Sequence, residues 1–224
     1  PKNKRTYDES WFAPRDPGLG TVLVMLGVEG EIPELAHHNF LFSDDWSDDF
    51  DAVFNGPVAS RPQAASQSIY VSKPSATDPS VAPAGHENLF VLVPVPADPS
   101  VGHGDMYRGE ASEQVQRIAE AAIEQIAARC GVAGLGRRIV VKQTLGPADF
   151  AERYNAWSGG SIGPAHTLRQ SAFLRGTNKS RKLDTLMYAG ATTTPGVGVP
   201  MCLISAENVL KRVRGDRSSG PLDH

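Results

Sequence analysis

Apolar residues fall in short runs along this chain, and their spacing changes from run to run. TVLVMLGV (21–28) is rich in Val and Leu and predicts a buried strand. After Pro33 and Glu34, HHNFLFS (37–43) predicts a second strand. DDWSDDFD (44–51) is a loop or helix start, and 48–54 predicts a short helix with Phe50, Val53 and Phe54 on one side. SIYVSKPS (68–75) alternates as a strand does. LFVLVPVPA (89–97) predicts another, whose prolines favour an edge or a strand end. RRIVVKQTL (137–145) and LDTLMYAG (183–190) complete the strand-like set.

Helical spacing is clearest over 110–130. Val115, Ile118, Ala119, Ala122, Ile123 and Ile126 recur at intervals of three and four. Acidic residues open this segment, Arg129 closes it, and Gly131 stops it. Residues 147–157 predict a helix opening at Pro147 with Asp149 in its first turn. Residues 201–213 predict another, with Leu203, Ala206, Leu210 and Val213 on one face and Gly215 as its stop. SGGSIG (158–163) is expected to be flexible, and 215–224 a disordered tail. Strands, then a helix, then further alternation predict an α+β or α/β fold with a mixed sheet.

The chain has 224 residues, enough for one or two domains. A net charge of −3 gives no reason to expect nucleic acid. Cys130 and Cys202 are far apart, so neither a disulfide scaffold nor a metal cluster is indicated, and a reduced cytoplasm is the simplest setting. The longest apolar run is far short of a membrane span, which leaves peripheral membrane contact open. PKNKRTYDESW lacks a signal-peptide core and an initiator Met, so a longer parent protein is expected.

Short motifs carry little here. GGSIG (159–163) matches a nucleophile elbow, but a helix-like stretch precedes Ser161 where a strand is needed. DDWSD (44–48) matches a diphosphate-binding pattern that normally comes in pairs; a solvated acidic turn is the favoured reading. His37 and His38, adjacent on a strand, would point to opposite faces and could not chelate one metal. His86, His103 and His166 lack ligand spacing, so no metal site is expected. No G-x-G-x-x-G follows a strand, which argues against a complete dinucleotide-binding domain within these residues.

YAGATTTPGVGVPMCLISAENVLKRVR (188–214) is different. It joins an apolar run, a Thr/Pro/Gly bend and a helix starting near Pro200. A helix N-terminus offers unpaired N–H groups and about half a positive charge. Glycines at 190, 196 and 198 permit close approach, and Thr192, Thr193 and Thr194 add hydroxyls. The bend suits a phosphate or the pyrimidine edge of a reduced flavin, or else is only a tight connection.

This segment closely resembles the C-terminal signature of bacterial-type phytoene desaturases, flavoproteins of carotenoid synthesis. AHTLRQSAFLRGTNKSRKLDTLMYAG (165–190), PADFAERYNAWSGGSIG (147–163), SIYVSKPSATDPSVAPAGHENLFVLVPVP (68–96) and LAHHNFLFSDDWSDDF (35–50) resemble further family blocks in the same order. The resemblance implies a mixed-sheet substrate-binding portion over 1–164. It implies the C-terminal βα element of a Rossmann-like FAD-binding domain over 165–214. The family's N-terminal FAD-binding segment would be the missing partner. Gly190, Ala191, Thr192, Pro195, Gly196, Gly198, Val199, Pro200 and Met201 are the implied FAD-binding positions, and His166 and Arg169 are candidate catalytic residues. The implied activity is dehydrogenation of phytoene or a similar acyclic carotenoid by hydride transfer to flavin. The implied setting is the cytoplasmic side of a membrane surface, held peripherally. The other reading is a non-redox carotenoid- or lipid-binding module, or a catalytically incomplete piece without FAD. Exposed strand edges would favour a homo-oligomer or compensating packing.

Overall fold

The computed structural model describes residues 4–222. It contains two compact units, one of residues 19–161 and one joining the residues up to 18 with those from 162 onward.

The first unit is built on five strands in the order β2-β3-β4-β1-β5. They are β1 (Leu19–Glu29), β2 (His38–Leu41), β3 (Ile69–Ser72), β4 (His86–Pro96) and β5 (Ile139–Leu145). Every pairing is antiparallel, so the fold is α+β as expected, but with an antiparallel sheet in place of a mixed one. One face is the core. Val22, Val24, Leu26 and Val28 of β1 alternate into it, as do Leu89, Val91, Val93 and Val95 of β4. The Val115–Ile126 stripe of the helix Glu113–Cys130 packs with them. Each such side chain contributes about 1.5–3 kcal/mol on burial.

β4 lies inside the sheet, although its prolines favour an edge. The register resolves this: β3 pairs only with Phe90, Val91 and Leu92. Pro94 and Pro96 lie beyond β3, where β4 has a ladder only with β1 and a proline forfeits no bond on its open side.

Two short helices, α1 (Glu9–Phe12) and α2 (Trp46–Phe54), precede that long helix, α3. After it come α4 (Leu135–Arg138), α5 (Pro147–Tyr154) and α6 (Val199–Arg214). Gly131 ends α3 in the left-handed conformation. Asn155 does the same for α5, so that helix stops earlier than its sequence predicts. The expected face of α2 is rotated: Asp49, Ala52 and Val53 are buried, while Trp46, Phe50 and Phe54 are exposed at intervals of four.

The second unit has little regular structure apart from α1 and α6. Residues 183–190 are expected as a strand but form turns, with a single bridge between Lys179 and Met187. Their amides go elsewhere: Leu186 to the Leu183 carbonyl, Tyr188 to that of Asn178, and Gly190 to the Ser205 hydroxyl. Residues 215–222 of the tail make several hydrogen bonds. Lys211 donates to the carbonyls of Ser218 and Gly220, and the Leu222 amide donates to Glu207. Residues 223 and 224 lie outside the described residues.

Candidate functional site

The 190–201 bend is tied to α6 by a buried polar knot. Ser205, fully buried, accepts the Gly190 amide at 3.0 Å and bonds the Thr193 hydroxyl at 2.9 Å. Asn178 donates to Ser205 at 3.0 Å and to the carbonyls of Tyr188 and Thr194. Thr194 donates its hydroxyl to Gly176 and Ala172 carbonyls. Thr193 and Thr194 therefore serve the fold and offer nothing to a ligand; Thr192 alone of the three is exposed.

The other face of the bend is open. Gly190 and Gly198 have φ of 115° and 102°, values that favour glycine. A Cβ on Gly190 would meet no atom within 4 Å. Gly198 caps α6 without a side-chain hydrogen bond; it, Val199 and Pro200 are exposed, and Met201 is half-buried. In the first turn of this 16-residue helix Pro200 has no N–H and the Cys202 amide bonds the Gly198 carbonyl, which leaves the Val199 and Met201 amides without an intrahelical acceptor.

The bend is held from beneath by Arg175, a residue that sequence reasoning missed. It is 3% exposed. Its Nε donates to the Ala191 carbonyl at 2.6 Å, its Nη1 to those of Pro164 and Gln170 at 2.8 and 3.0 Å, and its Nη2 to that of Ile162 at 3.2 Å. Every acceptor is main chain, so no acidic residue in the sequence signals the role. Asn178 and Ser205 were missed for the same reason: short polar side chains look like turn and surface residues until their burial is seen.

His166 lies against the bend, its Cε1 only 3.0 Å from where a Cβ on Gly196 would stand. Partial desolvation, and then the Arg175 charge, push its imidazole below the ordinary value. His166 is nevertheless solvent-accessible, and the lowered pKa favours its neutral form. Arg169 is exposed on the turn Leu168–Gln170, whose Gln170 is buried, and makes no hydrogen bond or ion pair among the described residues. The structure brings His166 to Gly196 and leaves Arg169 in solvent, between the exposed Leu168 and Phe173.

Other candidates are absorbed by the fold. Asp45 caps α2 through the Ser47 and Asp48 amides, and Asp49 pairs with Arg61 at 2.8 Å in the interior. The Ser161 hydroxyl donates to the Leu19 carbonyl at 3.3 Å. His37 and His38 do not diverge as a strand would require. Only His38 is in β2, and the two rings lie side by side, tilted by 37° with centroids 4.2 Å apart, their Nδ1 atoms on Thr77 and Tyr70 hydroxyls respectively.

The sheet of the first unit has a second face, which is apolar and half open. Phe40, Tyr70, Leu92 and Leu23 stand opposite one another on four successive strands. One row along, Met25 faces Phe90. A cavity of about 520 Å³ opens beside that row, lined by Met25, Gly27, Phe90, Val141 and the Val81–Pro83 loop. Beyond β2 the rings of Phe40, Phe42, Trp46, Phe50 and Phe54 continue as one row, at centroid spacings of 5.3–6.4 Å. Glu87, Asn88 and Gln143 edge the cavity, but most of its lining is aromatic and aliphatic, which suits an extended hydrocarbon.

No family model matches the chain. It is 41% identical over 216 residues to a carotenoid 3,4-desaturase of Haloarcula japonica, covering 96% of this chain and 41% of that protein. It is 31% identical over 217 residues to a 4,4'-diapophytoene desaturase (4,4'-diaponeurosporene-forming) of Staphylococcus aureus, covering 96% of this chain and 42% of that protein. The chain thus spans about two fifths of the length of the curated relatives it matches. Across nearly all of its own length, this chain is a homologue of the carotenoid desaturases.

Proposed function

We propose that this chain is part of an FAD-dependent desaturase acting on phytoene or a similar acyclic carotenoid. The observation that carries the reading is the 41% identity to a carotenoid 3,4-desaturase along 96% of the chain. The geometry of the bend is compatible with FAD: Gly190 has open space above it, Gly198 is exposed, and the helix start has no side-chain cap, although Gly196 is buried against His166. Gly190, Ala191, Thr192, Pro195, Gly196, Gly198, Val199, Pro200 and Met201 would hold the ring's pyrimidine edge. When bound, FAD supplies a two-electron acceptor for a hydride from an allylic carbon. The chain's own residues do the rest. Amides of the bend offer fixed donors where negative charge accumulates on reduction. The open sheet face of the first unit offers an extended apolar surface to a polyene. Neutral His166 has a free lone pair at the edge of the bend and is the better placed of the two catalytic candidates to receive the proton lost from the neighbouring carbon.

No described helix is long and apolar enough to cross a membrane. The exposed row from Phe40 to Phe54 supports a peripheral seat on a lipid surface, where an apolar substrate is stored. The test is expression of the complete reading frame in cells that accumulate phytoene. A yellow protein with a flavin band, and carotenoids whose absorption moves to longer wavelength, are expected. A flavin-free protein that binds carotenoid without changing it would establish a non-redox carrier instead.

A further inference from the structure

Arg175 is a buried cation with no anion. Among the described residues no carboxylate pairs with it; all four of its hydrogen bonds go to main-chain carbonyls. Burying a charge without a counter-charge is costly, and burial here pushes the guanidinium's pKa down. A guanidinium nevertheless stays protonated. A neutral amide could tie two of these carbonyls without that cost, so hydrogen bonding alone does not account for a full charge at this position. The charge is felt locally: after desolvation, it is the second cause that disfavours protonation of His166, which lies against the bend. The positive end of α6 opens on the same bend. Two sources of positive potential therefore act on one loop, Arg175 through the Ala191 carbonyl and α6 through its N-terminus after Gly198.

We propose that Arg175 is a positioning residue for the flavin bend, and that its unneutralised charge biases the bound flavin toward its reduced state. The inference rests on the reading of the bend as a flavin site. The Nε bond to Ala191 fixes the bend's height, and the two Nη groups anchor it to the 162–170 segment. Lysine could keep the charge but could not span four carbonyls in three directions.

The test uses the complete flavin-loaded protein with Arg175→Gln and Arg175→Lys. The flavin potential is read by equilibration with a reference dye, and His166 is titrated by NMR. Arg175→Gln is expected to weaken the preference for reduced over oxidised flavin at least tenfold, about 30 mV for a two-electron couple. It is also expected to raise the His166 pKa. Arg175→Lys is expected to stay within about threefold of wild type in that preference while binding flavin less tightly. A folded Arg175→Gln protein with the wild-type potential and an unmoved His166 overturns the proposal. If Arg175→Gln does not fold, Arg175→Lys decides: a tenfold loss of preference despite the retained charge overturns it, and retention supports it. Wild-type protein without a flavin band defeats the flavin reading instead. The His166 titration then decides separately whether the Arg175 charge acts at the bend.

Discussion

At the scale of single residues, two sites carry sharp energetic consequences. Asp49 is buried against Arg61. Burial pushes its carboxyl up, but bonds from Ser68, the Gln67 amide, Arg61 and Ser43 outweigh this and hold it well below the carboxylate range. The carboxyl pKa falls on folding, so the stabilisation is complete above about pH 4 and is lost as the pH drops toward the folded value. Arg61→Ala should cost about 3–5 kcal/mol in urea unfolding at pH 7, because it leaves the carboxylate buried and unpaired. Asp49→Asn should flatten the acid limb of the stability profile. A second site is Gly104, where a Cβ would collide with the Thr144 carbonyl oxygen. Gly104→Ala should cost about 1–3 kcal/mol or more by the same measurement. Neither site was legible in the sequence. Asp49 fell in the expected short helix 48–54 with nothing to mark it as buried, and its Arg61, Ser43 and Ser68 partners lie on separate segments that only folding brings together.

Among elements, α3 and α6 look alike in sequence and behave differently. Both have apolar residues at helical spacing. In α3 that stripe is buried, with Ile126 fully enclosed. In α6, Leu203 is 67% and Val213 68% exposed, and the buried residue is Ser205 on the other side. Periodicity identifies a helix and its apolar face, but not whether anything covers that face. Ile126→Ala should therefore cost about 2–5 kcal/mol in thermal or urea unfolding. Leu203→Ala should stay within about 0.5 kcal/mol in this chain. An equal loss in both would mean that α6 is covered in solution. The strands were the most legible elements, because β1 and β4 are long Val/Leu-rich runs whose alternation the register preserves. The expected strand at 183–190 failed because its amides are claimed by turns and by Ser205. No residue-by-residue propensity reports such a competition.

For the whole molecule, uncovered apolar surface dominates. Large apolar side chains are exposed on each unit: Phe40, Phe42, Trp46, Phe50 and Phe54 on the first, and Val199, Leu203, Leu210 and Val213 on α6 of the second. Self-association is the expected outcome in detergent-free buffer, and light scattering should report species larger than 24.0 kDa. Phe50→Asp with Leu203→Asp should shift the distribution toward monomer; an unchanged distribution would place the contact elsewhere. The candidate site was legible only in part at this scale. The glycine bend and helix start could be read from 188–214. The Arg175 anchor and the Asn178–Thr193–Ser205 knot could not, since their partners are carbonyls and hydroxyls that leave no pattern in a sequence.

The row of rings ending at Phe54 has an optical consequence. Trp46 stands in that row, half exposed and stacked on Phe42. Its indole emission reports directly on whatever settles over the neighbouring rings. A lipid surface would shift the emission to shorter wavelength, and a conjugated polyene absorbing in the near ultraviolet would quench it by energy transfer. Comparison with Trp46→Phe isolates that signal from Trp11 and Trp157. The protein thus carries a built-in fluorophore able to distinguish a bilayer from a carotenoid on that row without any added label.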